Sequence, residues 1–74
     1  MKRVLVTGSN GLLGQKLIDL ALAQPDISLV ATSSGLNRHP IQVGYTYQEL
    51  DVCDTAALRA AILQHQPQAI IHTA

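Results

Sequence analysis

The spacing of apolar residues changes repeatedly along this chain, and each change marks an element. Val4, Leu5 and Val6 form a short continuous run closed by Thr7-Gly8, which predicts a strand buried on both faces. From Leu12 the period lengthens. Leu13, Leu17, Leu20 and Ala21 recur at helical spacing while Gln15, Lys16 and Asp19 fall on the other side, so an amphipathic helix of about three turns is predicted. Its end is expected near Gln24, because Pro25 disfavours helical geometry in the residue before it.

A second strand is predicted over Ile27–Thr32, directly after the Pro25-Asp26 turn. Ser34 to Gly44 contains Gly35, Asn37, Pro40 and Gly44 without helical period and is expected as a loop. Tyr45 to Leu50 alternates aromatic and polar residues and predicts a third strand. Asp54 suits the N-cap of a helix over Thr55–His65, with Leu58, Ala61 and Ile62 inward and Pro67 as its stop. Ala69–His72 opens a fourth strand. Strands separated by crossovers imply a parallel sheet; in the expected order 3-2-1-4, right-handed connections put the first helix on one face and Thr55–His65 on the other. The fold class expected is α/β: the first, truncated half of a doubly wound parallel Rossmann sheet, with the carboxyl ends of strands one and four at the ligand.

Between the first strand and the first helix lies Thr7-Gly8-Ser9-Asn10-Gly11-Leu12-Leu13-Gly14. Its glycines suit the pyrophosphate of a dinucleotide. Gly8 lets the chain turn sharply out of the strand, Gly11 lets backbone approach phosphate oxygens, and Gly14 lets the helix pack against the sheet. The first helical turn, with Leu12 and Leu13 as backbone donors, points free N–H groups at the anion. Asn10 is expected to accept the strained loop geometry. The strand before and the amphipathic helix after supply the context that a glycine motif requires. No Gly-Lys-Ser/Thr follows, so this is not a P-loop.

Composition narrows the picture further. Among the 74 residues, 47% are hydrophobic and 14% charged, a globular rather than a disordered balance. Five basic residues offset five acidic ones without clustering, which argues against nucleic-acid binding. No apolar run is long enough for a membrane span or a signal segment. Cys53 is the single cysteine, so an internal disulfide is excluded and a reducing compartment, by default the cytoplasm, is expected. No His, Cys or carboxylate partner is spaced to make His72 a metal ligand. His39 and His65 read as loop and helix-end residues, and no Ser/His/Asp triad is laid out.

The T-G-x-x-G-x-x-G form resembles the extended branch of the short-chain dehydrogenase/reductase superfamily. Leu50-Asp51-Val52-Cys53-Asp54 is similar to the D-x-x-D segment after strand three, and Ile70-Ile71-His72-Thr73-Ala74 to the ending of strand four. Within the branch, V-T-G-S-N-G-L-L-G-Q-K-L with I-I-H-T-A is most similar to dTDP-4-dehydrorhamnose reductase-like proteins. The resemblance covers essentially the whole chain.

It implies an NAD(P) cofactor. NAD-preferring relatives carry an acidic residue at the end of strand two, where this chain has Ser33 or Thr32. With Arg38 as the nearest downstream charge, the resemblance favours NADP over NAD; the alternative is that Arg38 is an ordinary solvated cation. Asp51 and Val52 match the adenine-contacting segment; the alternative is that Asp51 merely ends the strand. Thr73 and Ala74 match residues that line ribose and pyrophosphate. The cofactor site expected is therefore Gly8, Asn10, Gly11, Leu12, Leu13, Gly14, Ser33, Arg38, Asp51, Val52, Thr73 and Ala74.

Catalytic residues are not among them. Members of the superfamily use a Tyr-x-x-x-Lys pair in which the lysine lowers the pKa of the tyrosine acid. Neither Tyr45 nor Tyr47 is followed by a lysine at that spacing. The chain is expected to be the N-terminal part of an NAD(P)-binding domain, its substrate-binding and catalytic portion lying beyond residue 74. The parent is expected to reduce a nucleotide-linked keto-sugar or similar carbonyl, as a homodimer. The alternatives are a sugar-nucleotide epimerase or dehydratase, and a non-catalytic NADP-binding regulatory subunit.

Overall fold

The computed structural model describes residues 1–73. Four strands and two helices alternate: β1 (Lys2–Thr7), α1 (Leu12–Leu22), β2 (Ile27–Ser33), β3 (Thr46–Glu49), α2 (Thr55–His65) and β4 (Ala69–His72). The strands form one parallel sheet in the order β3-β2-β1-β4. This is the first half of a doubly wound α/β sheet. Register aligns the strand ends that matter, pairing Thr7 with Thr32 and with His72.

Alternation along the strands divides the side chains between two faces. Val4 and Val6 of β1 and Leu29 and Ala31 of β2 meet α1 through Ile18, with Leu17, Ala21, Leu22, Tyr45 and Tyr47 at the margin. On the other face Leu5 and Val30 are buried, as are Leu50 and Ala61. His65 at the end of α2 shares a 2.8 Å hydrogen bond with Gln48 of β3. Since Tyr47 lies on the α1 side, Gln48 lies opposite, and α2 therefore covers the second face. That agrees with right-handed crossovers running in opposite directions from the centre of the sheet.

Local chemistry explains most boundaries. The Asp54 side chain accepts from the Ala57 N–H at 3.0 Å and caps α2. Gln66, at φ 48, closes that helix in left-handed geometry, a common helix ending, and Pro67 follows it. β1 is longer than its apolar run, because Lys2 and Arg3 still pair with Ile27 and Ser28. β3 is shorter than expected, with Tyr45 and Leu50 flanking it.

Two expectations for α1 are corrected. The helix ends at Leu22 rather than near Gln24, since its last turn is closed by N–H groups of Ala23 and Gln24 bonding back to Leu20 and Ala21. Its inner face is rotated by about one residue. Gly14 and Ile18 are the buried positions, whereas Leu13 and Leu20 are 60% and 64% exposed. The close approach of Gly14 to the β1–α1 turn sets this rotation, and Ile18 one turn later follows it inward.

Candidate functional site

The carboxyl ends of β1 and β4 and the first turn of α1 enclose a cleft of about 410 Å³, lined by Gly8, Gly11, Leu12, Leu13, Gly14, Ser33, His72 and Thr73. A wider opening of about 510 Å³ lies between the C-terminal end of α1 and the start of β2, beside Leu22, Pro25 and Tyr45. It contains none of the loop glycines that matter here. Ligands of open parallel sheets bind beyond the carboxyl ends of the strands, so the first cleft is the candidate.

The three motif glycines do different things. Gly8 has φ 75, and a side chain there would run into the Thr73 carbonyl and come within 2.6 Å of its Oγ1. A side chain on Gly14 would strike the Gly8 carbonyl and lie 2.5 Å from Cα of Ser9. Both are required by the protein's own backbone. Gly11 is not: it has an ordinary extended conformation (φ −74, ψ 170), and a Cβ there would meet only the Gly8 carbonyl, at 3.4 Å.

Gly11 is also the N-cap of α1, and it supplies no capping side chain. Its own N–H donates to Gly8 O at 3.0 Å. The N–H groups of Leu12, Leu13 and Gly14 have no protein acceptor among the described residues. No acidic side chain sits in that first turn. An open helix N-terminus with its positive dipole end facing a cleft is therefore left without a countercharge. Such an arrangement accepts a phosphate.

The far wall is held by Thr73 and His72. The Thr73 N–H donates to Thr7 O at 3.1 Å, and its hydroxyl donates to Thr7 O at 2.6 Å and Gly8 O at 3.0 Å. Thr73 thus both lines the cleft and fixes the turn at Gly8. His72 Nδ1 and Thr7 Oγ1 share a 2.5 Å hydrogen bond, which orients the ring at the cleft wall. The sequence placed His72 at the ligand end of the fourth strand without a role, and its register opposite Thr7 supplies one at the cleft wall.

Ser33 ends β2 inside the cleft and is buried. Its carbonyl accepts from Leu50 N–H at 2.9 Å and from the Tyr47 hydroxyl at 3.1 Å. That hydroxyl also lies 2.6 Å from Gly35 O, and desolvation raises the Tyr47 pKa above its ordinary 10.0. Asn10 does not line the cleft. Its side chain crosses to the loop after β2, donating to Ser34 O and Leu36 O and accepting from Arg38 N–H, each at 2.9 Å. Gln66 is the one non-glycine residue with positive φ among those described, so Asn10 carries no backbone strain, and its hydrogen-bonding capacity explains it instead.

Arg38 is exposed on that loop. Asp51 and Val52 lie outside the cleft: Asp51 Oδ1 accepts from Cys53 N–H at 2.9 Å in the turn before α2, and Val52 is partly exposed. Ala74 falls outside the described residues. The loop from Ser34 to Gly44 is anchored by His39, which is 3% exposed. His39 Nδ1 lies 3.0 Å from Ile41 N and 3.1 Å from Ile41 O, and Nε2 shares a 2.7 Å hydrogen bond with Asp19 Oδ1. Among the described residues no group of His, Cys, Asp and Glu gathers to hold a metal, and no helix is long and apolar enough to cross a membrane.

Comparison with solved structures supports the topology. The dTDP-glucose 4,6-dehydratase of Bacillus anthracis, solved in complex with NAD, superposes with a TM-score of 0.86 at 19% identity, over 100% of this chain and 27% of that one. The enzyme WbmH of Bordetella bronchiseptica, solved with NAD+, superposes with a TM-score of 0.82 at 28% identity, over 100% and 26%. In sequence, the dTDP-glucose 4,6-dehydratase of Haemophilus influenzae is 27% identical over 82 residues, covering 100% of this chain and 24% of that protein. The chain thus spans about a quarter of the length of the curated relatives it matches. Residues 4–74 match the NAD dependent epimerase/dehydratase family. By that match, the chain belongs to the NAD dependent epimerase/dehydratase family.

Proposed function

We propose that the cleft at the start of α1 binds NAD(P), and that the whole protein uses it to transform a nucleotide-linked sugar. The observation that carries this is Gly11. Nothing in the protein obstructs a side chain there, yet glycine opens the path to three backbone donors without acceptors. In this assignment Gly8, Gly11, Leu12, Leu13 and Gly14 hold the pyrophosphate. Ser33 and Arg38 take the adenosine ribose, Asp51 and Val52 the adenine, and Thr73 and Ala74 line ribose and pyrophosphate. When bound, the nicotinamide supplies a two-electron carrier; the residues of this chain bind and orient it.

Two finer points belong to the proposal. The dehydratase relatives favour dehydration or epimerisation over the simple reduction expected from dTDP-4-dehydrorhamnose reductase-like proteins. NADP is the cofactor favoured by the chain itself, because β2 ends in Ser33 rather than a carboxylate that would repel a 2′-phosphate. The NAD-bound relatives favour NAD instead. A cytoplasmic, homodimeric protein fits the single cysteine and the expected family behaviour.

The test is turnover by the whole protein. Incubation with dTDP-glucose and catalytic NAD or NADP should yield a dehydrated keto-sugar or an epimer without net consumption of cofactor. Stoichiometric NADPH oxidation with dTDP-4-dehydrorhamnose would favour the reductase instead. Cofactor binding without turnover of any nucleotide sugar would indicate the regulatory role.

A further inference from the structure

We propose that Asn10 is a positioning residue that holds the adenosine-ribose end of the site in register with the pyrophosphate end; this rests on the dinucleotide reading above. Asn10 lies between two motif glycines, yet its side chain turns away from the cleft and bonds to a loop 24 to 28 residues downstream. The carboxamide uses both of its functions there. Nδ2 donates to the carbonyls of Ser34 and Leu36, and Oδ1 accepts from Arg38 N–H. The opposite amide orientation would set an oxygen against two carbonyls and an NH2 against an N–H, so the chemistry of the three partners fixes it.

The residue is itself held from behind, since Gln15 Nε2 of α1 donates to Asn10 O at 3.0 Å. Tyr47 holds the same loop from the other side through Gly35 O. The carbonyls of Ser34, Gly35 and Leu36 are thereby all engaged by side chains, and the backbone that carries Arg38 has a defined distance from the open N-terminus of α1. No other short side chain does this. Aspartate has no donors for the two carbonyls, serine and threonine have a single hydroxyl, and glutamine is longer by a methylene.

A residue that only stabilised the fold would weaken every ligand alike. A positioning residue weakens ligands that reach the ribose loop and spares those that stop at the phosphates. Inorganic pyrophosphate and ADP, titrated calorimetrically into the whole protein, separate these cases. Asn10→Ala should weaken ADP about tenfold, the worth of one or two lost hydrogen bonds, and leave pyrophosphate within about twofold. Asn10→Asp should behave like Asn10→Ala. Should Asn10→Ala not fold, Asn10→Gln, which keeps both functions but displaces them, reads the same ratio. Equal weakening of both ligands, or no change in either, overturns the proposal. A wild-type protein that binds neither ligand would instead overturn the dinucleotide reading itself.

Discussion

The carbonyl of Thr73 occupies the space in which a side chain at Gly8 would begin. The end of β4 and the glycine turn after β1 are therefore built against each other, and Thr73 reinforces the contact with three hydrogen bonds to Thr7 and Gly8. Gly8 is a demand of the fold as much as of any ligand.

From this follows a contrast among alanine substitutions. Gly8→Ala combines a left-handed backbone with a collision, and should lower stability by more than about 2 kcal/mol. Gly14→Ala should do the same through overpacking against Ser9. Gly11→Ala, at an ordinary φ, changes only an N-cap and should cost less than about 1 kcal/mol. Urea midpoints at constant slope would check this order; equal losses at all three positions would contradict it.

Removing the α2 cap by Asp54→Ala should cost about 1 kcal/mol and lower the Tm of the whole protein. Asp54→Asn, which keeps an oxygen for the Ala57 N–H, should recover most of the loss in the same melt.

Tyr47 predicts an alkaline weakness. Its pKa is raised, chiefly by desolvation, so the folded protein favours the neutral phenol. That contribution is fully present below the unfolded value of 10.0 and is lost as pH rises through the higher folded value. A tyrosinate also cannot donate to Ser33 O or Gly35 O. As pH rises above 10.0, the wild-type Tm should fall more steeply than that of Tyr47→Phe. Parallel slopes would show that Tyr47 contributes nothing to the decline.

On its own, the 74-residue chain should be marginally stable. A chain this short buries only about 60% of its unfolded surface. Leu13, Leu20, Ile70 and Ile71 are all 40% exposed or more, and β4 is an edge strand, a combination that promotes association. The isolated chain should bind a hydrophobic dye and self-associate in sedimentation. A dye-silent monomer with a cooperative transition well above room temperature would contradict this.

Features set by neighbours in sequence were legible from the chain. The glycine turn, the Asp54 cap and the stop at Pro67 follow from spacing and local propensity, whereas the strand order was legible only through the doubly wound fold that those motifs point to. What was not legible depends on partners far along the chain. The α1 face was displaced by one residue because the backbone contact of Gly14, rather than the leucine spacing, sets its rotation. Asn10 looked like a turn residue because its partners lie at Ser34, Leu36 and Arg38. His39 looked like a loop residue only, and its partner Asp19 lies on α1, 20 residues earlier. His72 was expected at the ligand end of its strand, but its hydrogen bond to Thr7 needed the β1–β4 register to be seen.

The central claim is that the open N-terminus of α1 receives a dinucleotide pyrophosphate across Gly11. Calorimetric titration of NADP and NAD into the whole protein and its Gly11→Val variant tests it most directly. The expected result is one cofactor per wild-type chain and no detectable binding to a Gly11→Val protein whose thermal transition remains cooperative. An unchanged Kd in that folded variant would contradict it.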